Sequence, residues 1–318
     1  MGGHTVIRDF TEADYPLLAA VDAAAYHDDP RAIELWKHDD ATRDPSLFFR
    51  RDVVEVDGVP VACGTLGHSD WIDDPDKYWF QILIPRDREG TAIREAYLRY
   101  ALDALGPRGP VAIYSGMVES FEAQIQFLER SGFQAVHREH SSRLDLDAFD
   151  PDFYRDAVKP IVEQVIRVTS LSELARSDAD WGKRLHPVYQ QLVLDQPAPD
   201  PPRLETLEEW ERSELGAPNF DPDLWIVGRH RAEIIGLSQA AVNPQAPTAA
   251  DCGLTGVLAD YRRRGIATAL KVELLRVLKE RGVTRVDTTN EENNPMYRIN
   301  QQLGFAPRPD WVMYERRL

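Results

Sequence analysis

The sequence passes twice through one order of elements, and this long repeat limits the possible folds more than any single motif does. Val-Ile-Arg opens each half, at residues 6–8 and again at 165–167, and polar stretches with helix-capping residues follow from Thr11 and from Ser170. Each half then reads as a hairpin. In the first, residues 53–56 and 59–66 flank the tight-turn pair Asp57-Gly58; in the second, 224–227 and 233–241 flank 228–232. Next, an apolar strand runs into a glycine and a helix, 80–84 before Gly90 and 254–258 before Gly265. A short strand, a short helix and a Gly-Phe pair follow, at Gly132-Phe133 and Gly304-Phe305. The copies stand 159 residues apart at the first strand, 175 at the central glycine and 172 at the Gly-Phe pair. Element order kept with so little drift indicates duplication. The extra residues of the second half fall in 196–222, which holds six prolines and reads as an irregular flap with a helical insert near 205–215.

A chain of 318 residues suits two domains of about 150 each. The expected boundaries are 1–148 for the first domain, 149–164 for a linker punctuated by Pro151 and Pro160, and 165–318 for the second. With 43% hydrophobic and 28% charged residues the chain has the composition of a soluble globular protein. It has no apolar run near the ~20 residues a membrane span needs, and no membrane partner is expected. The first ten residues carry charges and no apolar stretch, so a cytoplasmic protein without a secretory signal is expected. Cys63 and Cys252 lack a C-x-x-C partner, which fits a reducing compartment and predicts no metal site. Lys plus Arg number 37 against 53 acidic residues, a net charge of -16, which argues against nucleic acid as a partner. Any anion must then be held by a local feature.

That feature lies where the strand at 254–258 ends. The loop runs Val257-Leu258-Ala259-Asp260-Tyr261-Arg262-Arg263-Arg264-Gly265-Ile266-Ala267-Thr268, with its core at Arg262-x-x-Gly265-x-Ala267. Small residues at 265 and 267 let backbone N–H groups approach a ligand closely, and a helix start leaves such groups unpaired and electropositive. Three arginines beside them suit phosphate groups. Neither G-x-G-x-x-G nor a Gly-Lys-Ser/Thr phosphate loop is present. The following helix places Ile266, Leu270, Leu274, Val277 and Leu278 on one face, with Lys271, Glu273, Arg276 and Lys279 opposite, and Gly282 stops it. A strand over 283–289 and a helix capped by Asn294, with Pro295 first, complete the unit.

Residues 257–270, with Asn293-x-x-Met296-x-x-Ile299-Asn300-x-x-Leu303-Gly304-Phe305, resemble the acyl-CoA site of the GNAT N-acetyltransferase superfamily. With the fainter first copy, the chain resembles a tandem GNAT protein. The resemblance implies an α/β fold of two tandem GNAT-like domains, each a mixed, mostly antiparallel sheet flanked by helices. It further implies acetyl-CoA as co-substrate, no metal, and transfer of its acetyl group to a primary amine of a small molecule by direct attack. The diphosphate would sit on Arg262, Arg263, Arg264, Gly265, Ile266, Ala267 and Thr268. The pantetheine would run along the strand ending at Val257 and Leu258, where splaying from 283–289 opens a wedge and a backbone N–H polarises the thioester carbonyl. Family position also brings Asn290 and Asn293 to the pantetheine.

Two departures stand out. The family's usual tyrosine acid, four residues before the glycine of Leu-Gly-Phe, is replaced by Asn300, which can hydrogen-bond a thiolate without protonating it. Tyr297, three residues earlier on the same helical face, is the candidate substitute, directly or through water. In the first half the loop is 84–92, with Arg88 only two residues before Gly90, Glu89 beside it, and Leu128 at the tyrosine position. That copy is expected to keep the fold and lose the site, with its final strand extending the second domain. Glu291 and Glu292 read as a solvated loop pair, and His186, His137 and His140 as packing or surface residues. Trp181, Trp210 and Trp225 border the flap and are candidates for an acceptor pocket. Alternatives are an activity like that of mycothiol synthase, another tandem GNAT protein, or a non-catalytic acyl-CoA-binding or dimerisation module. A monomer or homodimer is expected.

Overall fold

The computed structural model describes residues 4–69, 72–86, 91–154 and 166–318. Two compact units emerge, and they do not coincide with the sequence halves. The first comprises 1–138, 199–203 and 309–318; the second comprises 139–198 and 204–308. The expected boundary at 148 therefore falls inside the second unit, and most of the expected 149–164 linker lies outside the described residues.

In the first unit, β1 (Thr5–Asp9) leads to α1 (Tyr15–Ala25) and α2 (Ile33–Thr42). The strands β2 (Phe49–Val56), β3 (Val59–Gly67) and β4 (Lys77–Leu83) follow, then α3 (Thr91–Leu105), β5 (Ala112–Val118) and α4 (Glu122–Arg130). The β2–β3 turn is the expected one, with Asp57 at φ 52° and Gly58 at φ 76°, the left-handed pair that a two-residue hairpin needs. Among the described residues of the first unit, only β4 and β5 run parallel. Beyond β5 the sheet gains β13 (Trp311–Arg317), antiparallel, with Ala112 opposite Arg317. Phe80, Tyr97, Leu105, Ile113 and Leu128 fill the core between sheet and helices. Leu128, at the first copy's tyrosine position, is thus a core residue. Arg88, Glu89 and Gly90 lie outside the described residues.

The Pro-rich stretch divides between the units. Asp200 accepts hydrogen bonds from Lys77 Nζ (2.5 Å) and the Tyr114 hydroxyl (2.6 Å), and Arg203 pairs with Asp44 at 3.0 Å, so 199–203 are held by the first unit.

In the second unit the sheet begins with the later residues of β6 (Gln134–Asp145). These pair antiparallel with β11 (Arg285–Glu291), which runs parallel to β10 (Ala246–Val257). The hairpin partners β9 (Glu233–Asn243) and β8 (Trp225–His230), then β7 (Ile166–Ser170), complete it. The short β12 (Ala306–Pro307) also pairs with β6. One face carries α5 (Leu171–Ser177), α6 (Trp181–Leu194) and α7 (Leu207–Trp210); α7 continues as a wider π turn to Leu215 and is opened by a Thr206/Glu209 capping box. α8 (Ile266–Glu280) and α9 (Pro295–Gln302) follow β10 and β11, and Gly282 (φ 81°) ends α8 as expected. One residue departs from the amphipathic reading of α8. Lys271, expected on its polar face, is 1% exposed, its ammonium 5.2 Å from the centre of the Phe305 ring. The helix is wedged deeply enough that its buried arc reaches past the apolar stripe, and burial lowers the lysine's pKa.

No helix among the described residues is long and apolar enough to cross a membrane.

Candidate functional site

The site grows from a fork in the second unit's sheet. β10 and β11 pair from Ala249/Arg285 to Cys252/Thr288 and no further. Beyond that point β11 stays with β6 through Glu291, while β10 stays with β9 through Val257. The strands part because each keeps its other neighbour. The parity of the exposed edge follows from one hydrogen bond. Leu258 N–H donates to Ile235 C=O at 2.9 Å, turning the Leu258 and Gly256 N–H groups toward β9. Val257 and Thr255 therefore present their N–H and C=O groups to the open edge. Of the two residues expected at the thioester, Leu258 has its N–H committed to the sheet, and Val257 has it facing the fork. Thr255 was missed in the sequence, since strand parity cannot be read without a register.

The loop beyond Val257 is built around two left-handed residues, Arg263 at φ 58° and Gly265 at φ 80°. Gly265 accepts this conformation freely; a residue with a Cβ does so at a cost of about 1–2 kcal/mol. Gly265 is also the N-cap of α8, and it has no side chain to cap with. Among the described residues the N–H groups of 263–268 have no acceptor, the first intrahelical bond being Ala269 N–H to Gly265 C=O at 3.1 Å. Six adjacent donors at the positive end of a fifteen-residue helix form an anion cradle. With the end of β10, the end of α6 and the start of α9, they border a cleft of about 690 Å³.

The three arginines differ in what they do. Arg262 Nε donates to Val257 C=O at 2.9 Å and its Nη2 pairs with Asp195 at the end of α6, so it ties the strand end to a helix. Arg264 donates to Asp260 C=O at 2.8 Å and lies 5.4 Å over Tyr261, outside the cleft lining. Tyr261 is itself pinned, its hydroxyl donating to Glu233 at 2.9 Å. Arg263 lines the cleft and, among the described residues, has no ion-pair or hydrogen-bond partner. Its positive φ aims the strained arginine and the cradle at one space.

Of the expected cofactor residues, Val257, Arg262, Arg263, Gly265, Ile266, Ala267 and Thr268 line the cleft, and Leu258, Arg264, Asn290 and Asn293 do not. Asn293 donates through its backbone and side-chain nitrogens to Glu291, at 2.7 and 2.9 Å. Asn300 is fully buried and donates to Asn290 Oδ1 at 2.6 Å, so these two asparagines hold each other. Tyr297 lies outside the lining, its ring 4.5 Å from that of His140, while its neighbours Asn294, Pro295, Met296 and Ile299 line the cleft. Asn294 caps α9 as expected, accepting from Met296 N–H at 3.0 Å. Leu192, Asp195 and Gln196 also line it, at the end of a helix with no sequence signal for ligand contact.

A second recess, of about 200 Å³, opens on β10 at Asp251–Gly253, just before the fork. Trp225 and Phe220 form its aromatic side, Glu214 and Asp251 supply carboxylates, and Gln239 supplies an amide. Of the three tryptophans at the flap, Trp225 lines the recess. Trp210 is fully buried against it, and Trp181 packs onto the same apolar cluster. Burial holds the Tyr189 phenol, stacked on Trp225, well above its usual pKa. No group of three or more His, Cys, Asp or Glu that could hold a metal occurs among the described residues.

The fork, the run of N–H groups and the cleft form one continuous site in the second unit. Residues 185–305 match the acetyltransferase (GNAT) family. Across its whole length the chain has the tandem GNAT fold. It superimposes on a tandem GNAT protein from the clavulanic acid biosynthesis pathway with TM-score 0.73 at 19% identity, covering 99% of this chain and 98% of that one. A GCN5-related N-acetyltransferase from Sphaerobacter thermophilus gives TM-score 0.70 at 17% identity, over 98% and 95% of the two chains. No curated protein sequence matches the chain.

Proposed function

We propose that the second unit transfers an acetyl group from acetyl-CoA to the primary amine of a small molecule. The observation that carries this reading is the unbroken run of unpartnered N–H groups at 263–268, continuous with the open edge of β10. The cradle and Arg263 receive the diphosphate. The pantetheine pairs with β10 as an added strand, and the N–H groups of Val257 and Thr255 are the donors available to its amides and to the thioester carbonyl.

The acceptor enters from the recess at Asp251–Gly253, where Glu214 and Asp251 attract a cationic amine and Trp225 and Phe220 flank its apolar part. Loss of a proton frees the nitrogen lone pair to attack the carbonyl carbon. The C–N bond forms, the oxygen takes negative charge and is held by a β10 N–H, and collapse breaks the C–S bond while the nitrogen gives its surplus proton to solvent. The thiolate then takes a proton, for which Tyr297 is this chain's candidate donor. Asn300, enclosed and bonded to Asn290, positions α9.

Thiol release from acetyl-CoA with a panel of amines tests the reading. Wild-type protein should release CoA with at least one cationic amine, and Gly265→Glu, which puts a side chain and a negative charge into the cradle, should not. Turnover unchanged in that variant would overturn the assignment.

A further inference from the structure

The first unit has a cavity of its own, of about 510 Å³, bordered by α1, α2, the start of β2, the end of β3, β4 and Gly116 of β5. It belongs to no part of the acyl-CoA site. Three polar atoms of its lining residues are buried and have no hydrogen-bond partner among the described residues: Arg31 Nε, Trp36 Nε1 and Gln81 Oε1. An unmade buried hydrogen bond is costly, and native folds leave few of them. Three gathered around one opening mark a place built for a polar guest. Two are donors, one on a guanidinium; the third is an acceptor.

The two unpartnered donors call for an acceptor group, in a lining whose charges balance once Asp40, which holds Arg51, is counted. Arg31, Arg43 and Arg51 face two carboxylates, Asp22 and Asp39. Arg51 is held by Asp40 through two 2.8 Å bonds and by the Thr65 hydroxyl at 3.0 Å. Arg31 pairs with Asp39 at 2.5 Å, while its backbone N–H donates to Asp22 at 2.7 Å. Burial raises the pKa of both Asp22 and Asp39, so the carboxylates are the costlier charges to keep. Both ring nitrogens of His68 are occupied, Nδ1 accepting from Phe48 N–H and Nε2 meeting Pro75 C=O.

The walls favour a flat ring. Arg31 and Arg51 lie 4.9 and 4.8 Å from the Trp36 ring centre, and Arg43 lies 3.8 Å from that of Phe49. Guanidiniums stacked on aromatic faces keep their N–H groups in the plane, the orientation in which Arg51 meets Asp40 and Arg31 meets Asp39. Across the cavity Trp79 and Trp311 lie within 9° of parallel, ring centres 6.3 Å apart. They can do so because position 116 is glycine. A Cβ there would stand 2.1 Å from Trp311 and 2.9 Å from Trp79.

We propose that this cavity binds a small carboxylate bearing a planar aromatic ring and an N–H or O–H donor. The carboxylate meets Arg31 Nε and Trp36 Nε1, the ring lies among the tryptophans, and the donor reaches Gln81 Oε1. This site is independent of acetyl transfer in the second unit.

The test uses the full chain and calorimetry with indole-3-acetate, indole-3-acetamide and tryptamine. Indole-3-acetate should bind saturably. The neutral amide and the cationic amine should each bind at least about tenfold more weakly, having lost the charge-assisted contacts. Trp36→Phe keeps the ring and removes one N–H donor, and Gln81→Leu removes the acceptor; each should weaken binding about fivefold or more while the thermal midpoint stays near wild type. Gly265→Glu should bind the carboxylate as wild type does, which separates this site from the acyl-CoA cleft. The proposal fails if indole-3-acetate shows no saturation up to about 10 mM, if the amide binds as tightly, or if well-folded Trp36→Phe and Gln81→Leu both retain wild-type affinity.

Discussion

Arg263→Gly should move stability and acetyl-CoA affinity in opposite directions. Arg263 holds φ 58°, a conformation that costs a residue with a Cβ about 1–2 kcal/mol. Glycine relieves that strain and gives back about 0.5–1 kcal/mol through its greater freedom in the unfolded chain. The variant should therefore be roughly 0.5–1 kcal/mol more stable in urea unfolding. Binding should suffer, because Arg263 is the arginine of the loop that lines the cleft without a partner among the described residues. Removing a charged hydrogen bond to a phosphate costs about 1.5–3 kcal/mol, so Kd for acetyl-CoA should rise by about tenfold to a hundredfold. Calorimetry at two salt concentrations supplies a second readout. The affinity lost should be the salt-sensitive part, whereas Arg262→Ala should leave the salt dependence nearly unchanged, since Asp195 already matches that charge. Arg263→Asn, which tolerates the left-handed region without a charge, should bind as weakly as the glycine variant. A more stable Arg263→Gly protein with wild-type affinity would refute the idea that strain is held there for phosphate recognition.

Tyr297→Phe should lower kcat about a hundredfold with acetyl-CoA affinity kept, if the phenol supplies the thiolate's proton; a normal kcat would assign the ring to packing against His140. Titration of the full chain should find one high-affinity acetyl-CoA, and two equivalent sites would show that the first unit binds it too. Lys271→Met should raise the thermal midpoint at pH 7, because methionine fills the same buried space with no charge to desolvate. The sign of the pH effect follows from the lowered pKa. The penalty for charging Lys271 is complete below its folded pKa and disappears above its unfolded value of about 10.4. Wild-type stability should therefore rise relative to Lys271→Met as pH climbs through that interval, and a constant difference would place the ammonium in solvent.

What the sequence shows and hides follows the range of the forces involved. Local chemistry was legible: the Asp57-Gly58 turn, the Asn294-Pro295 helix start, the Gly282 stop and the glycine that opens the cradle all depend on a few neighbouring residues. The three arginines looked equivalent because their partners, Asp195 and the carbonyls of Val257 and Asp260, come together only after folding. Lys271 follows the polar side of a helical wheel, but burial depends on what packs around the helix. The cavity of the first unit was invisible, since its lining is drawn from α1 to β5 and from Trp311 near the other end of the chain. Residues 139–145 of β6 pair with β11 in the second unit and β13 pairs with β5 in the first, and neither pairing leaves a signal in neighbouring residues.

That interlacing sets an order of assembly. β5 emerges from the ribosome roughly two hundred residues before the strand that pairs with it, so the first unit's sheet stays open at one edge until β13 has been made. Closing so long a loop adds little to the final free energy but much to the time needed to find the partner. Meanwhile an unpaired strand edge is exposed to other nascent chains. Cutting the chain between its halves would leave the first fragment without β13 and the second without β6, each with an adhesive edge.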